Sequence, residues 1–235
     1  MNPRVAGLDL VKWVAVLTML GDHLRYLWPG LHGLALTGRL AFPLFCLAIA
    51  WHVGRTTPGT FRTARHGRYL AWMVAFSLIS EPAYRWLDTG STTLNVMPTL
   101  TLGLLVAYGV QVREPLAQVG AGMALLFALL ASPVLMYGLP GVLLPTGWWL
   151  ALRFGGLSVA IPAVLAVAGN LTNDWLLAHA LTPQGMMVLA AAACSVPVGL
   201  ALLRQSGGRI WPVGRWAYGF YPAHLVAIRL LQGIV

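Results

Sequence analysis

Long apolar runs alternate with short polar clusters along the whole chain. Most of these runs have about the 20 residues that an α-helix needs to cross the hydrocarbon core of a bilayer, although the two runs that flank Arg153 are short for a crossing. The runs cover residues 8–28, 34–53, 69–87, 94–112, 115–135, 138–152, 154–172, 184–203 and 214–233. This pattern predicts an all-α, polytopic transmembrane helical bundle of about nine spans, with residues 1–235 forming a single domain.

The composition supports a membrane protein over a soluble one. The chain is 58% hydrophobic and 9% charged, with a mean hydropathy of +0.75. One soluble core of this length could not bury so much apolar surface. In a soluble protein the net charge of +9 would favour nucleic acid as a partner. Here the positive charges fall in the short connections, so the expected partner is the lipid bilayer and no nucleic acid is expected.

The arginines fall in alternate connections, and this orients the predicted bundle. They follow the second, fourth, sixth and eighth runs, and one more precedes the first run. These residues are Arg4, Arg55, Arg62, Arg65, Arg68, Arg113, Arg153, Arg204, Arg209 and Arg215. Connections rich in Lys and Arg usually stay in the cytoplasm. The sequence therefore predicts a cytoplasmic N-terminus and a C-terminus on the opposite side.

The first apolar run contains ionisable residues that are costly inside a bilayer and are typical of functional sites there. Lys12 and His23 are eleven positions apart, which is about 20° beyond three full helical turns, so both project from one face. They lie about 16 Å apart along the helix axis. A cation near one membrane surface and an imidazole partway across suggest a charged co-substrate that is delivered to a base. Asp22 is a candidate partner of His23, although adjacent positions point about 100° apart.

Other arginines are candidates for binding an anionic co-substrate. Arg65 and Arg68 form an Arg-x-x-Arg pair at the entry to the third run, where two guanidinium groups can share one helical face. Interaction with lipid headgroups explains them equally simply. Arg39 lies early in the second run, shortly before Pro43, which frees a backbone carbonyl. Its side chain can bind an anionic ligand or extend to the headgroups.

Four further polar residues are candidates for a substrate cavity. Glu81 lies four positions before Arg85, so a local ion pair explains it as well as a substrate does. Asn95 opens the fourth run, where an amide can either bridge helices or hold a polar substrate. Tyr221 and His224 lie in the last run. Two histidines in separate predicted spans favour a shared polar cavity.

Several common catalytic motifs do not occur in the sequence. The chain has no nucleophile elbow, no phosphate-binding loop of the Walker type, no His-Glu-x-x-His motif and no carboxylate-rich cluster typical of a metal site. These gaps argue against nucleotide hydrolysis and metal catalysis. Acyl transfer from a thioester remains, because the acyl group is already activated and one histidine base can suffice.

Segments spread over nearly the whole chain resemble the TraX family, which is named for the conjugal-transfer protein that N-acetylates F-type pilin. They are residues 8–13, 21–23, 38–45, 79–82, 94–103, 137–138 and 218–225. The Lys12-x10-His23 spacing and Arg65-x-x-Arg68 are more distantly similar to motifs of the acyltransferase-3 superfamily. In that superfamily the histidine is thought to be the base, and the arginines are associated with acyl-CoA.

The resemblance implies an acetyltransferase of the bacterial inner membrane that uses acetyl-CoA and no metal. It implies His23 as the general base, with Lys12, Arg65 and Arg68 holding the phosphates of the donor. The implied acceptor is the N-terminal amine of a pilin subunit. Arg39 is a further candidate for the donor site, and the residues expected to line the acceptor side are Glu81, Asn95, Tyr221 and His224.

Two other classes of function remain compatible with the sequence. The protein can be an O-acyltransferase that modifies a glycan or a lipid with the same base and donor. It can also be a non-enzymatic membrane assembly factor or transporter whose polar residues line a path or bind a partner helix. Dependence on acyl-CoA separates the enzymes from this last class.

Overall fold

The computed structural model describes residues 6–31, 33–57, 59, 64–205 and 210–234 of the chain. Within these ranges the backbone forms eleven α-helices and no β-strand, so the predicted all-α fold is confirmed. The helices are α1 (Ala6–Leu24), α2 (Gly33–Gly38), α3 (Ala41–Gly54), α4 (Ala64–Leu87), α5 (Val96–Val112), α6 (Pro115–Leu130), α7 (Gly138–Phe154), α8 (Ala160–Asn170), α9 (Asp174–Ala178), α10 (Pro183–Leu203) and α11 (Trp216–Leu231).

Each predicted apolar run contains a helix, but the second run is divided. A turn at Arg39 and Leu40 separates α2 from α3. Pro43 explains this break, because it has no N–H to donate to the carbonyl of Arg39 four residues earlier. Regular helical bonding resumes where the N–H of Leu44 donates to Leu40 O at 3.1 Å. A polar side chain, that of Arg39, therefore emerges at a helix break and not from a continuous helix.

Length and composition qualify two helical segments as membrane spans within the described residues. They are Gly33–Gly54, which includes the break, and Pro183–Leu203. Other apolar helices are shorter, among them Val96–Val112 and Pro115–Leu130. The helices thus match the predicted segments, whereas the number of about nine crossings stays a prediction.

The basic connections lie together at one end of the bundle. The start of α1 meets the end of α10 so closely that a Cβ on Gly7 would lie 2.6 Å from Leu203 O. At the same end, the Gln111 amide on α5 donates to Thr56 O after α3 at 2.6 Å. The arginines at the helix ends gathered here are Arg55, Arg68, Arg113, Arg153, Arg204 and Arg215. We call this the basic end of the bundle.

The opposite end joins the other set of connections. The Tyr26 hydroxyl after α1 donates to Asp88 Oδ2 after α4 at 2.8 Å. The N–H of Leu94 before α5 donates to Val134 O after α6 at 2.7 Å. The alternation of charge along the sequence therefore becomes a separation of charge in space, and most of the acidic residues belong to this second end. These are Asp22, Glu81, Asp88 and Asp174.

Helix α6 buries its small residues and exposes its large ones. The alanines that face the bundle recur at helical spacing, and Ala128 is fully buried against the neighbouring helices. On the other face Met123 is 68% exposed and Leu130 is 74% exposed. A surface helix in water shows the reverse distribution, with its large apolar side chains turned to the core. The outer face of α6 is therefore suited to an apolar surrounding.

Close helix packing at Gly103 predicts a stability difference between two glycine substitutions. A Cβ on Gly103 of α5 would lie 2.8 Å from Val142 O on α7, so G103A should push these helices apart and destabilise the fold by about 1–3 kcal/mol. Gly122 on α6 has open space where a Cβ would lie, so G122A should instead stabilise by about 0.5–1 kcal/mol through helix propensity. Thermal unfolding of the two variants in detergent checks the difference, and a G103A protein as stable as the wild type would contradict this packing.

Candidate active site

A cavity of about 1020 Å³ lies between α1, α3, α4, α5 and α11. This volume is at the upper end of the range for pockets that enclose small-molecule ligands, about 300–1000 Å³. The walls are mainly aliphatic and aromatic, as in most such pockets. The apolar residues of the wall include Leu8, Val16, Met19, Phe45, Ala48, Ile49, Met73 and Leu100. The cavity can therefore hold a long ligand that is largely apolar over most of its length.

The mouth of the cavity lies at the basic end and is lined by cationic side chains. Lys12, Arg55 and Arg215 line it, and both arginines are exposed. Lys12 Nζ is 3.5 Å from Val213 O, while Asp9 Oδ1 accepts from the N–H of Val213 at 3.2 Å. The first helix thus fixes the segment before α11 and forms the mouth with it. The positive charges at this mouth favour an anionic group there.

The inner end of the cavity is lined by Met19, Val96 and Tyr221. Val96 lies in the first turn of α5, and Tyr221 lies on α11. Tyr221 is buried. The cavity therefore ends between α1, α5 and α11, beside Met19 in the second half of α1.

His23 lies one helical turn beyond this inner end. Positions Leu8, Lys12, Val16 and Met19 of α1 line the cavity at helical spacing, and His23 is the next position in that series. Four residues separate Met19 from His23, which corresponds to about 6 Å along the axis. Lys12 Nζ lies 3.5 Å from Val213 O before α11, and His23 contacts His224 on α11, so both side chains are directed toward this C-terminal part of the chain. The cavity extends from Lys12 to one turn short of His23.

His23 contacts a second histidine from the other end of the sequence. Its Nδ1 is 2.8 Å from Nε2 of His224, and the two ring centroids are 5.0 Å apart. His224 belongs to α11, where its Nδ1 lies 2.9 Å from Phe220 O and its ring stacks on that of Phe220. His224 is buried. The structure therefore joins the two histidines that the sequence placed in separate helices.

Asp22 and Arg39 lie close together near the opposite end of the bundle. A Cβ on Gly38 would overlap the side chain of Asp22, which shows how closely α2 approaches α1 there. Asp22 Oδ1 is 3.6 Å from Arg25 Nε, and Arg39 donates to Asn170 Oδ1 at 3.3 Å. The imidazole of His23 is hydrogen-bonded to His224, whereas Asp22 was the partner expected from the sequence. Arg39 was a candidate for the donor site with Lys12, but most of the length of α1 separates these two residues.

Glu81 and Asn95 contact each other and fix the start of α5. Glu81 Oε1 accepts from Arg85 Nε at 2.7 Å, and Oε2 accepts from the backbone N–H of Asn95 at 2.9 Å and from its amide at 2.7 Å. Asn95 also donates to Ser77 O at 2.9 Å and accepts from the N–H of Met97 at 2.9 Å. Asn95 is thus the N-cap of α5, and the local Glu81–Arg85 ion pair is present.

The predicted Arg-x-x-Arg pair is only partly described. The side chain of Arg65 lies outside the described residues, and Arg68 on α4 is exposed at the basic end. Arg55 and Arg215, which the sequence indicated only as topological charges, line the cavity mouth. Within the described ranges, no three His, Cys, Asp or Glu side chains gather as they would around a metal ion.

The fold and the cavity together define a class: a helical bundle with a cavity that has a basic mouth, and a hydrogen-bonded histidine pair beyond the inner end of that cavity. The sequence matches the family described as TraX protein over residues 7–232. The chain belongs to the TraX family.

One curated relative extends this comparison. The chain is 30% identical over 135 residues to a protein of Dichelobacter nodosus named probable fimbrial assembly protein FimC, serogroup H1. The match covers 51% of this chain and 51% of the relative, so it spans about half the length of that protein. No solved structure matches the chain significantly.

Proposed function

We propose that the protein is a membrane-embedded acetyltransferase that moves an acetyl group from acetyl-CoA to an acceptor amine, with His23 as general base. The observation that carries this proposal is the cavity, which leads from a cationic mouth to within one helical turn of His23. Such a cavity suits a donor with phosphates at one end, a long linker and a reactive thioester at the other.

The membrane setting is supported by two features of the helices. The segments Gly33–Gly54 and Pro183–Leu203 have the length and apolarity of membrane spans. Helix α6 exposes its large apolar side chains, as a helix in contact with lipid does. The basic end then faces the cytoplasm by the positive-inside rule, which is where acetyl-CoA is available. In this account the protein is a multi-pass protein of the bacterial inner membrane.

The donor is proposed to enter from the basic end. Lys12, Arg55 and Arg215 are placed to bind its phosphates, and guanidinium groups suit phosphate oxygens because they donate two parallel hydrogen bonds. Arg65 and Arg68, at the start of α4, are proposed to add to this positive field. The apolar walls then receive the linker, and the thioester approaches His23 past Met19 and Tyr221.

The reaction requires one proton to be moved twice. The neutral acceptor amine attacks the thioester carbonyl, and a C–N bond forms while His23 takes a proton from the nitrogen. The C–S bond then breaks, and His23 returns that proton to the leaving sulfur. The products are the acetylated amine and CoA as the thiol. A base that exchanges a proton in this way typically contributes a factor of about 10²–10⁴ in rate.

The acceptor is proposed to be the N-terminal amine of a pilin subunit, which reaches His23 from the end opposite to the donor. Membership of the TraX family supports this acceptor, and the relative from Dichelobacter nodosus bears the name of a fimbrial assembly protein. Asp22 lies beside His23 at that end and supplies a carboxylate that suits an ammonium group before it loses its proton. Glu81 and Asn95 support this side of the site by fixing α5.

Filling the cavity should weaken binding of the donor. Ala48 is a buried residue of the cavity wall on α3, and A48W would place an indole in the space proposed for the linker. The affinity for acetyl-CoA should fall at least about tenfold, equivalent to about 1.4 kcal/mol. Isothermal titration of acetyl-CoA into detergent-purified protein measures this change.

The matched control adds the same side chain outside the cavity. Val119 is 60% exposed on the outer face of α6, so V119W should leave acetyl-CoA affinity and thermal stability near those of the wild type. Binding of acetyl-CoA that is equally strong in A48W and the wild type would place the donor elsewhere. A folded wild-type protein that binds no acetyl-CoA would favour an assembly factor or transporter.

A further inference from the structure

The contact between His23 and His224 defines which nitrogen carries each proton. A backbone carbonyl only accepts hydrogen bonds, so the 2.9 Å contact between His224 Nδ1 and Phe220 O requires a proton on Nδ1. In a neutral imidazole the other nitrogen then has no proton and accepts. His224 Nε2 is that acceptor, and it lies 2.8 Å from His23 Nδ1. His23 must therefore donate from Nδ1.

This assignment leaves Nε2 of His23 with a free electron pair. We infer that His224 is a positioning residue that holds His23 in the tautomer with its proton on Nδ1, so that Nε2 is the atom that accepts the proton of the acceptor amine. The inference rests on the proposed function for its catalytic consequence. The tautomer itself depends only on the contacts of α1 with α11.

The surroundings of the pair favour His224 over Asp22 in this role. Asp22 is adjacent to His23 on α1, so the two side chains point in directions about 100° apart. Its Oδ1 faces Arg25 Nε at 3.6 Å. His224 in turn is held by its stacking on Phe220, with ring centroids 5.0 Å apart, and by burial. Because the position of His224 is fixed, its Nε2 orients the His23 ring as well as the proton on Nδ1 of His23.

The contact between His23 and His224 also stabilises His23 after it has taken up a proton. His23 then carries a positive charge and still donates from Nδ1 to His224 Nε2, and hydrogen bonds with a charged donor are stronger than neutral ones. This differs from the serine protease triad, in which the acceptor behind the histidine is a carboxylate. A neutral hydrogen-bond acceptor keeps this partly buried pair without net charge in the resting protein.

Two substitutions separate the role of His224 as a hydrogen-bond acceptor from its role in packing. H224Q keeps an oxygen near the position of Nε2 that can accept from His23, whereas H224L has similar bulk and no acceptor. Side-chain ¹⁵N NMR of the histidine-labelled protein reports the tautomer directly, with the His23 signals assigned by their loss in H23A. We expect the Nδ1–H tautomer of His23 in the wild type and in H224Q, and its loss in H224L.

Turnover provides the second readout. In H224L the kcat for acetyl transfer should fall by on the order of 10–100-fold, as for other partners that orient a functional imidazole, while the KM for acetyl-CoA stays unchanged. H224Q should recover most of the lost kcat. A His23 tautomer that is the same in H224L as in the wild type would overturn the inference, and so would an unchanged kcat in H224L. A tautomer that depends on His224 in a protein without transferase activity would support the positioning role and refute the proposed function.

Discussion

H23A should lower the turnover of acetyl-CoA in the presence of acceptor by a factor of about 10²–10⁴, the usual contribution of a general base. His23 is the next helical position on α1 after the residues that line the cavity, and it is hydrogen-bonded to His224 at 2.8 Å. Release of free CoA by the detergent-purified protein measures the effect. Acetyl-CoA binding should persist in H23A, because the residue lies beyond the inner end of the cavity.

The matched control is a histidine far from the cavity. His179 is exposed at the end of α9, where its ring stacks on Trp175 with centroids 4.7 Å apart. H179A should therefore retain the wild-type turnover. Substantial residual activity in H23A, within about fivefold of H179A, would exclude His23 as the base.

N95L should destabilise the fold by about 3 kcal/mol. The substitution removes the N-cap of α5, which contributes about 1 kcal/mol, and the side-chain hydrogen bond to the Glu81 carboxylate. It also leaves Ser77 O without the donor that it has at 2.9 Å. Asn95 is fully buried, so water cannot replace these partners.

A thiol-reactive dye can follow this unfolding in detergent, because Cys46 is fully buried and becomes reactive only when the fold opens. The exposed Cys194 is first replaced by alanine in every protein compared. N173L serves as the control, since Asn173 caps α9 by accepting from Leu176 N at 3.0 Å without a carboxylate partner. It should cost only about 1 kcal/mol. Equal stability of N95L and N173L would contradict the role assigned to the Glu81–Asn95 contact.

The helices could be predicted from the apolar runs because each run has a length and composition that only a helix satisfies in an apolar surrounding. The second run corresponds to the candidate span Gly33–Gly54, which the structure divides at Arg39. Pro43 is visible in the sequence, but a proline can kink a helix or end it, and the packing around it decides which. Arginine alternation likewise predicts which connections share an end of the bundle.

The sequence predicts the relative positions of site residues only when those residues belong to the same helix. Periodicity alone places Lys12 and His23 on one face of α1, and in the structure Lys12 lies near Val213 before α11 while His23 contacts His224 on α11. The sequence predicts a shared polar cavity for His23 and His224, but it does not predict their direct contact. The two residues are 201 positions apart, and their contact depends on how α11 packs. Arg55 and Arg215 are indistinguishable from topological charges in the sequence for the same reason.

Glu81 and Asn95 are polar residues that the sequence indicated as substrate-binding candidates but that have structural partners. Polar residues at a predicted helix start suggest a substrate, yet their hydrogen bonds in the structure go to one another and to the backbone. Helix starts leave free N–H groups that side chains commonly satisfy. A polar residue there therefore says little about ligands until its partners are known.

Mass spectrometry of a pilin N-terminal peptide incubated with acetyl-CoA and the purified wild-type protein tests the proposed acetyl transfer directly. We expect one added acetyl group on the terminal nitrogen, which requires His23 and is absent when that nitrogen is blocked beforehand. Acetylation confined to hydroxyl groups or to lipid would assign the protein to the O-acyltransferases. No acetylation of any acceptor by a folded protein would refute the proposed acetyltransferase function.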